Sequence, residues 1–493
     1  MIGAEAWTVM AILGPLLAAL IALEGRPAFV RTGLFLGVSA SGAAAAGLWR
    51  EVALHGPALH RLGGWGRPLG IELHVDGLGV VMLTVTAAVG AAVSLYATEY
   101  FGDLATRSVR DSPAGRGARF FAPLALMLWA ALNGIYLSAD LFNLYVNLEI
   151  QGLSAAAMVT LAVTRQATVA GMRYLVVSLV GSMLFLLGVA LLYVEYGTLS
   201  LAELEALRPD GPAAMTALAV MTVGLAAKTA LFPFHAWLPP AHAAAPAPAS
   251  ALLSSLVVKG SFVIVVRVWF HVYAGGTPPA LVAMGLMGGA GMVWGSVMAL
   301  RQTSFKRLIA YSTIAQLGLL FIMFPLMHAS AGGASVDAWT GGIVLVVSHA
   351  LAKAAMFLAA GNMTYAVASD AIRSISGTAH RLPMSFLAFG VGGLSLAGLP
   401  PSAGFAGKWL LLRSALEPGR WGWAVLIALG GLLTLAYVLR VLPYALRVEE
   451  APEHFRAVPR RMELAAMALA LAAVLLGLRA TSMVEMLGGV WSG

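Results

Sequence analysis

Residues 213–272 read AAMTALAVMTVGLAAKTALFPFHAWLPPAHAAAPAPASALLSSLVVKGSFVIVVRVWFHV. The runs 213–233 and 250–272 are each about as long as the roughly 20 apolar residues needed to cross a bilayer core. Each holds a lysine inside it, Lys228 and Lys259, and a proline-rich link with His235 and His242 joins them. Pro233 follows Lys228 by five residues, so the first helix unwinds just beyond its lysine. Two membrane helices, one of them broken and both carrying a buried cation, are the reading from which the rest of the chain follows.

Composition agrees. Of 493 residues, 60% are hydrophobic and 11% charged, where soluble domains average about 25% charged. A soluble surface cannot hide that apolar excess, and lipid can. Many of the 55 glycines lie in apolar runs, where small residues let membrane helices approach closely. There is no cysteine, which excludes disulfides, Cys-ligated clusters and thiol catalysis. No cofactor, redox centre or metal site is expected in this chain. The net charge of +8 fits cytoplasmic loop cations rather than nucleic-acid binding. The N-terminal run lacks a basic n-region and a cleavage site, so it is read as the first membrane helix.

Extending the window predicts an all-α integral membrane protein of about fourteen transmembrane helices. The spans are 5–24, 28–48, 76–98, 120–138, 140–163, 167–194, 213–233, 250–272, 279–300, 304–325, 338–366, 383–414, 421–445 and 463–482. Loop charge tests the order. With both termini outside a bacterial inner (cytoplasmic) membrane, the inner loops hold Arg26 and Arg31; Arg107, Arg110, Arg116 and Arg119; Arg165 and Arg173; Arg301, Lys306 and Arg307; Arg373 and Arg381; and Arg447, Arg456, Arg460 and Arg461. The outer loops hold only Arg50, Arg61, Arg67, Arg208 and Arg420. Residues 49–75 have the turn signals and alternation of a short hairpin.

A charge at the bilayer centre costs roughly 2.5–3.5 kcal/mol on insertion scales, so such groups face the protein interior and mark ion paths. Glu149 and Lys259 each lie nine residues into a span, roughly 13 Å deep at 1.5 Å per residue. His349 and Lys353, four apart in VVSHALAKAAMF, share a helix face. Lys408 follows Pro400, Pro401 and Gly404 in AGLPPSAGFAGKWLLL, a second broken span. Lys228 and Lys408 each follow a glycine by four, at Gly224 and Gly404. The plainer alternatives are a structural carboxylate at Glu149, a snorkelling lysine at Lys228 and a carbonyl-satisfied histidine at His349. His235 and His242 are candidate relay groups toward the cytoplasm, with loop packing the alternative. Asp76 and Glu99 flank the third span as interface residues, and Arg267 is expected to snorkel outward.

Lysine has three donors and no acceptor, so buried lysines cannot build an oxygen cage for sodium or potassium. They suit proton switching. A lysine held against a carboxylate keeps its proton, and one withdrawn into a dry interior gives it up more readily. On this reading Glu149 and Lys228 form a switch.

DLFNLYVNLE, the 228–259 stretch, QTSFKRLIAYSTIAQLG, SHALAKAAMFLAAG and GLPPSAGFAGKWLLL fall in an order that closely resembles the antiporter-like family: the large subunits of Mrp-type cation/proton antiporters, the proton-pumping subunits of respiratory complex I, and related membrane-bound hydrogenase subunits. The resemblance, over about residues 76–445, implies two inverted five-helix repeats, 120–272 and 279–445, between an N-terminal segment 1–119 and a C-terminal segment 446–493, with helices seven and twelve broken. It implies proton-transfer roles for Glu149, Lys228, Lys259, His349, Lys353 and Lys408. A lysine at 408 fits the D-type Mrp subunit and certain complex I subunits; the DLFNLYV run, the length and the lack of a long C-terminal helix favour the D-type subunit. Asn147-Leu148 and Gln151-Gly152 depart from its pattern.

The implied function is proton translocation in a multisubunit sodium/proton antiporter, with other membrane subunits, protons, sodium and the lipid bilayer as partners and no nucleic acid. The chain is then a transporter subunit rather than an enzyme. The alternative is a proton-pumping subunit of complex I (NADH-quinone oxidoreductase) or of a hydrogenase, which makes the assembly a redox translocase. A purely scaffolding subunit is the third reading.

Overall fold

A computed structural model describes residues 3–64, 70–107, 113–273, 277–328, 333–447 and 455–488. Arg67 and Arg110 lie outside the described residues, as do the side chains of Arg107 and Arg116.

The architecture is almost entirely helical. The chain begins with α1 (Ala4–Ala22) and α2 (Pro27–His55), then a hairpin of β1 (Ala58–Arg61) and β2 (Glu72–Val75). The strands pair antiparallel with Ala58 opposite Val75 and Arg61 opposite Glu72. There follow α3 (Gly77–Arg107), α4 (Pro113–Leu137), α5 (Leu141–Thr160), α6 (Arg165–Tyr196), the short α7 (Leu201–Leu207) and α8 (Pro212–Lys228). After a break come α9 (Leu238–Ala244), α10 (Ala247–Leu252) and α11 (Val258–Arg267). The second half runs α12 (Pro278–Arg301), α13 (Phe305–Phe321), α14 (Met323–His328), α15 (Gly333–Val367), α16 (Thr378–Arg381), α17 (Pro383–Ala397), α18 (Ala403–Leu416) and α19 (Trp421–Leu446), closed by α20 (Arg460–Leu478) and α21 (Ala480–Gly488).

Local chemistry sets several starts. Asp140 caps α5 by accepting from Asn143 N, Thr164 caps α6, Ser304 caps α13 and Ser402 caps α18. Each side chain satisfies an N–H that the first helical turn leaves free.

Eleven helices among the described residues are long and apolar enough to cross a membrane. The most apolar stretches of the spans Ala247–Val272 and Val336–Val367 are buried throughout. Around them, α1, α6, α19 and α20 turn apolar side chains outward, among them Leu17, Leu20, Val176, Val194, Trp421, Val425, Leu432 and Leu475. This is the arrangement lipid selects, with an apolar rim around helices whose polar groups face one another. Three expected spans fall outside that measure. The region 140–163 is occupied by α5, which carries Glu149. The region 213–233 begins with the 17-residue α8, which ends at Lys228. The region 383–414 is split into α17 and α18, the latter holding Lys408. Glu149, Lys228 and Lys408 thus sit in the spans that the measure misses, whereas Lys259 and Lys353 sit in spans that pass it.

Candidate functional site

α8 stops at its lysine. Ala230 is left-handed (φ 56°) and Leu231 N donates to Ala226 O, a C-terminal turn that usually takes glycine. Trp237 Nε1 reaches back to the Ala227 carbonyl at 2.9 Å. Lys228 is left at the open end, buried, where the helix dipole favours a cation. Its Nζ donates to Ser182 Oγ at 2.6 Å, Leu148 O at 3.1 Å and Ser178 O at 3.4 Å. The slot exists because two neighbours lack side chains. A Cβ on Gly181 would lie 2.8 Å from Lys228 Cγ, and one on Gly152 would lie 3.3 Å from Nζ.

Glu149 sits beside this slot, half-buried. Lys228 takes the carbonyl of the preceding residue, Leu148, and no ion pair joins the carboxylate to the ammonium among the described residues. Glu149 Oε1 is buried without a hydrogen-bond partner, and the two charges remain within electrostatic reach. The expected direct pair is therefore an adjacency rather than a contact.

Lys259 is completely buried. Between α10 and α11 the helix widens to a π-turn over Leu253–Val257, and Lys259 Nζ turns back to donate to Ser254 O at 2.6 Å. Lys353, on α15, donates to Ile309 O at 3.0 Å and to Ser312 Oγ. His349, one turn earlier, is buried with both ring nitrogens unpartnered, within electrostatic range of Lys259 and Lys353. Lys408 donates to Leu396 O at 2.6 Å and Ala397 O at 3.0 Å, the terminal carbonyls of α17.

The two histidines of the link part company. His242 is buried, stacks on Phe357 with ring centroids 5.5 Å apart, and lies in electrostatic range of Lys353, Lys259 and Lys306. His235 is half-buried; it accepts from Trp294 Nε1 at 3.1 Å and stacks on Phe232. His242 thus joins the lysines and His235 does not.

Three buried hydroxyl pairs lie among the residues that neighbour these groups. Thr229, next to Lys228, donates to Ser261, two residues after Lys259, at 3.0 Å. Ser254, whose carbonyl holds Lys259, pairs with Thr313 at 2.8 Å, and Thr313 adjoins the Ser312 that holds Lys353. Ser348, next to His349, pairs with Ser395 at 3.1 Å, and Ser395 adjoins the Leu396 carbonyl that holds Lys408. The row crosses the molecule from α5 to α18.

Two groups were misplaced by sequence reasoning. Arg267 does not snorkel: it is 2% exposed and pairs with buried Asp76 at 2.9 Å while donating to Tyr136 O. The pair ties the start of α3 to the end of α11. Lys306, expected in a cytoplasmic loop, is buried in the first turn of α13 and donates to Ala243 O and Ala245 O at the end of α9. A lysine in a helix's first turn opposes the dipole, and that was the available signal. Glu99 does lie at the surface, paired with Arg461 at 2.9 Å. Among the described residues no three His, Asp or Glu side chains gather to hold a metal ion.

A multi-pass helical membrane protein with several buried lysines held by hydroxyl and carbonyl oxygens is the class that this geometry defines. The chain belongs to the family described as NADH:quinone oxidoreductase/Mrp antiporter, TM, whose model matches residues 138–435. It is 36% identical over 416 residues to NADH-quinone oxidoreductase subunit N of Desulforudis audaxviator, covering 83% of this chain and 79% of that one. It is 28% identical over 451 residues to the D-type subunit of the Na(+)/H(+) antiporter of Bacillus subtilis, covering 90% and 87%. In fold it matches a chain in the structure of the Mrp complex from Dietzia sp. DQ12-45-1b with a TM-score of 0.87 and 25% identity, over 99% of this chain and 97% of the other.

Proposed function

We propose that this chain is a proton-translocating subunit of a multisubunit monovalent cation (Na+)/proton antiporter. The observation that carries the reading is the set itself: Lys228, Lys259, Lys353 and Lys408 are buried, each is held by carbonyl or hydroxyl oxygens without an ion pair among the described residues, and buried hydroxyl pairs lie near them in sequence. Such oxygens stabilise an ammonium by hydrogen bonds without locking its proton in place as a carboxylate does. Glu149 stands beside Lys228 as the one carboxylate of the expected set. Closing that gap holds the proton on Lys228, and opening it sends the proton toward Lys259. His349 and His242 extend the row, His242 and Lys306 leading toward the cytoplasmic side under the charge-based topology.

The fold supports two inverted five-helix repeats, 120–272 and 279–445, as an organising scheme. α8 and the α17–α18 pair are interrupted at corresponding places, each next to its lysine. Relatives named as subunits of Na(+)/H(+) antiporters and of quinone oxidoreductases support partner membrane subunits.

The test is proton flux through the assembled complex in proteoliposomes loaded with a pH dye. Lys228→Ala and Glu149→Ala are expected to abolish it; intact transport in both would overturn the reading. The 36% relative named as a quinone oxidoreductase subunit favours a second reading, a proton-pumping subunit of such an enzyme. Co-purification of iron–sulfur subunits, in place of small hydrophobic cation-transport subunits, would select it.

A further inference from the structure

Gln151 and Gly152 depart from the D-type pattern; Gln151 reaches the π-turn that precedes Lys259, and Gly152 lies against Lys228. Gln151 is 2% exposed. Its Nε2 donates to the carbonyl of Val257, the last residue of the π-turn. Its Oε1 is buried and has no hydrogen-bond partner. A Cβ on Gly260, the residue after Lys259, would lie 2.9 Å from that oxygen. Lys259 itself reaches Ser254 O within the same turn. The π-turn is therefore held by one side chain from α5 and one of its own helix. Gly152 opens toward the other lysine, with Lys228 Nζ 3.3 Å from its Cβ position. Successive helical residues point about 100° apart, so neighbouring positions of α5 serve the two stations.

π-turns within α-helices occur often at functional sites, because they turn carbonyls away from the regular ladder. The Val257 carbonyl demands the amide nitrogen, which fixes Oε1 on the opposite side. A buried amide oxygen without a donor is costly and rare in native interiors. Such an oxygen is a standing acceptor for a water molecule or an ammonium.

We propose that Gln151 is a positioning residue of the relay: its amide holds the π-turn that aims Lys259, and its Oε1 accepts a hydrogen bond from the proton-bearing donor that passes between Lys228 and Lys259. The inference rests on the proton-translocation reading above.

The test compares Gln151→Leu, Gln151→Glu and Lys228→Ala in the assembled complex, with proton flux followed in proteoliposomes across a range of pH. Gln151→Leu removes both the donor and the acceptor and is expected to lower flux roughly tenfold at every pH, equivalent to about 1.36 kcal/mol. Gln151→Glu keeps an O–H for Val257 and a free oxygen while protonated, and loses the donor when ionised. Its flux is expected near wild type at acid pH, with an alkaline limb that the wild type lacks. If Lys228→Ala abolishes flux while both Gln151 variants keep the wild-type rate and profile, the proposal falls and the function stands. A uniform loss in both variants without the new limb reduces Gln151 to packing and also overturns it. Flux surviving in Lys228→Ala overturns the underlying function instead. Should Gln151→Leu fail to accumulate, the pH profile of Gln151→Glu decides alone.

Discussion

Lys228 and Lys408 each lie beside a break in their span and are satisfied in opposite ways. Lys228 is the last residue before its break and reaches sideways, to a hydroxyl and a carbonyl on α6 and to a carbonyl on α5 next to Glu149. Lys408 lies beyond its break and reaches back, to two carbonyls at the end of α17, the other half of its own span. Those carbonyls carry the negative end of the α17 dipole, so Lys408 is stabilised within one interrupted helix. The surroundings of Lys228 depend on where α5 and α6 stand. A shift between helices therefore acts on Lys228 first, while Lys408 holds its environment. One residue type beside a break thus has one environment shared with neighbouring helices and one contained in its own span.

The largest effect tests whether both are stations at all. Lys228→Met and Lys408→Met are each expected to lower proton flux by about 100-fold or more, the scale of losing a positioned proton-transfer group; near-normal flux in either removes it from the row. Glu149→Gln separates the two environments. It should cut flux by roughly tenfold and leave the local spectroscopic signature of an isotope-labelled Lys408 unchanged, because the carboxylate adjoins Lys228 alone. Ser182→Ala removes one acceptor at 2.6 Å from Lys228. A hydrogen bond to a charged group contributes about 1.5–3 kcal/mol, so the titration of Lys228 should move, as followed by NMR of labelled lysine, while that of Lys408 stays. Gly181→Ala pushes a methyl to 2.8 Å from Lys228 Cγ; overpacking of this kind costs about 1–3 kcal/mol, read as a lower thermal midpoint in detergent.

The smallest effect checks that the contrast is confined to the interior. His74, on β2, is held below the usual histidine range by burial, with Asp76 pulling it up, Arg267 and His271 down, and Glu205 up. A histidine favoured neutral in the fold takes up more protons when unfolded, so the fold weakens as pH falls through about 6.5. His74→Gln should flatten that acid limb in a thermal-shift titration and leave flux at neutral pH unchanged.

The fold was legible where the chain is greasiest. Long apolar runs betrayed α1, α6, α12 and α19, and turn residues betrayed the hairpin. The lysines were legible because a charge within an apolar run stands out. Their partners were not. Leu148 O, Ser254 O and Leu396 O are backbone atoms with no signature in sequence, and Ser182 looks like any small residue in a packed helix. The π-turn at Leu253–Val257 leaves no compositional trace, so Gln151 registered only as a departure from pattern. Arg267 was misread because a cation late in a span resembles a snorkelling one until its carboxylate partner, nearly 200 residues away in sequence, is seen. Lys306 was misread because loop and first turn share a vocabulary.

The bridges at Ser254–Thr313 and Ser348–Ser395 have one more consequence, since either hydroxyl can be the donor in each. Under the proposed function, protons relayed over such links would meet no built-in arrow: after one passage the hydrogens would point the other way, and each hydroxyl would have to swivel before the next. The sense of travel would then be imposed elsewhere, at the carboxylate-flanked end or by the gradients across the bilayer.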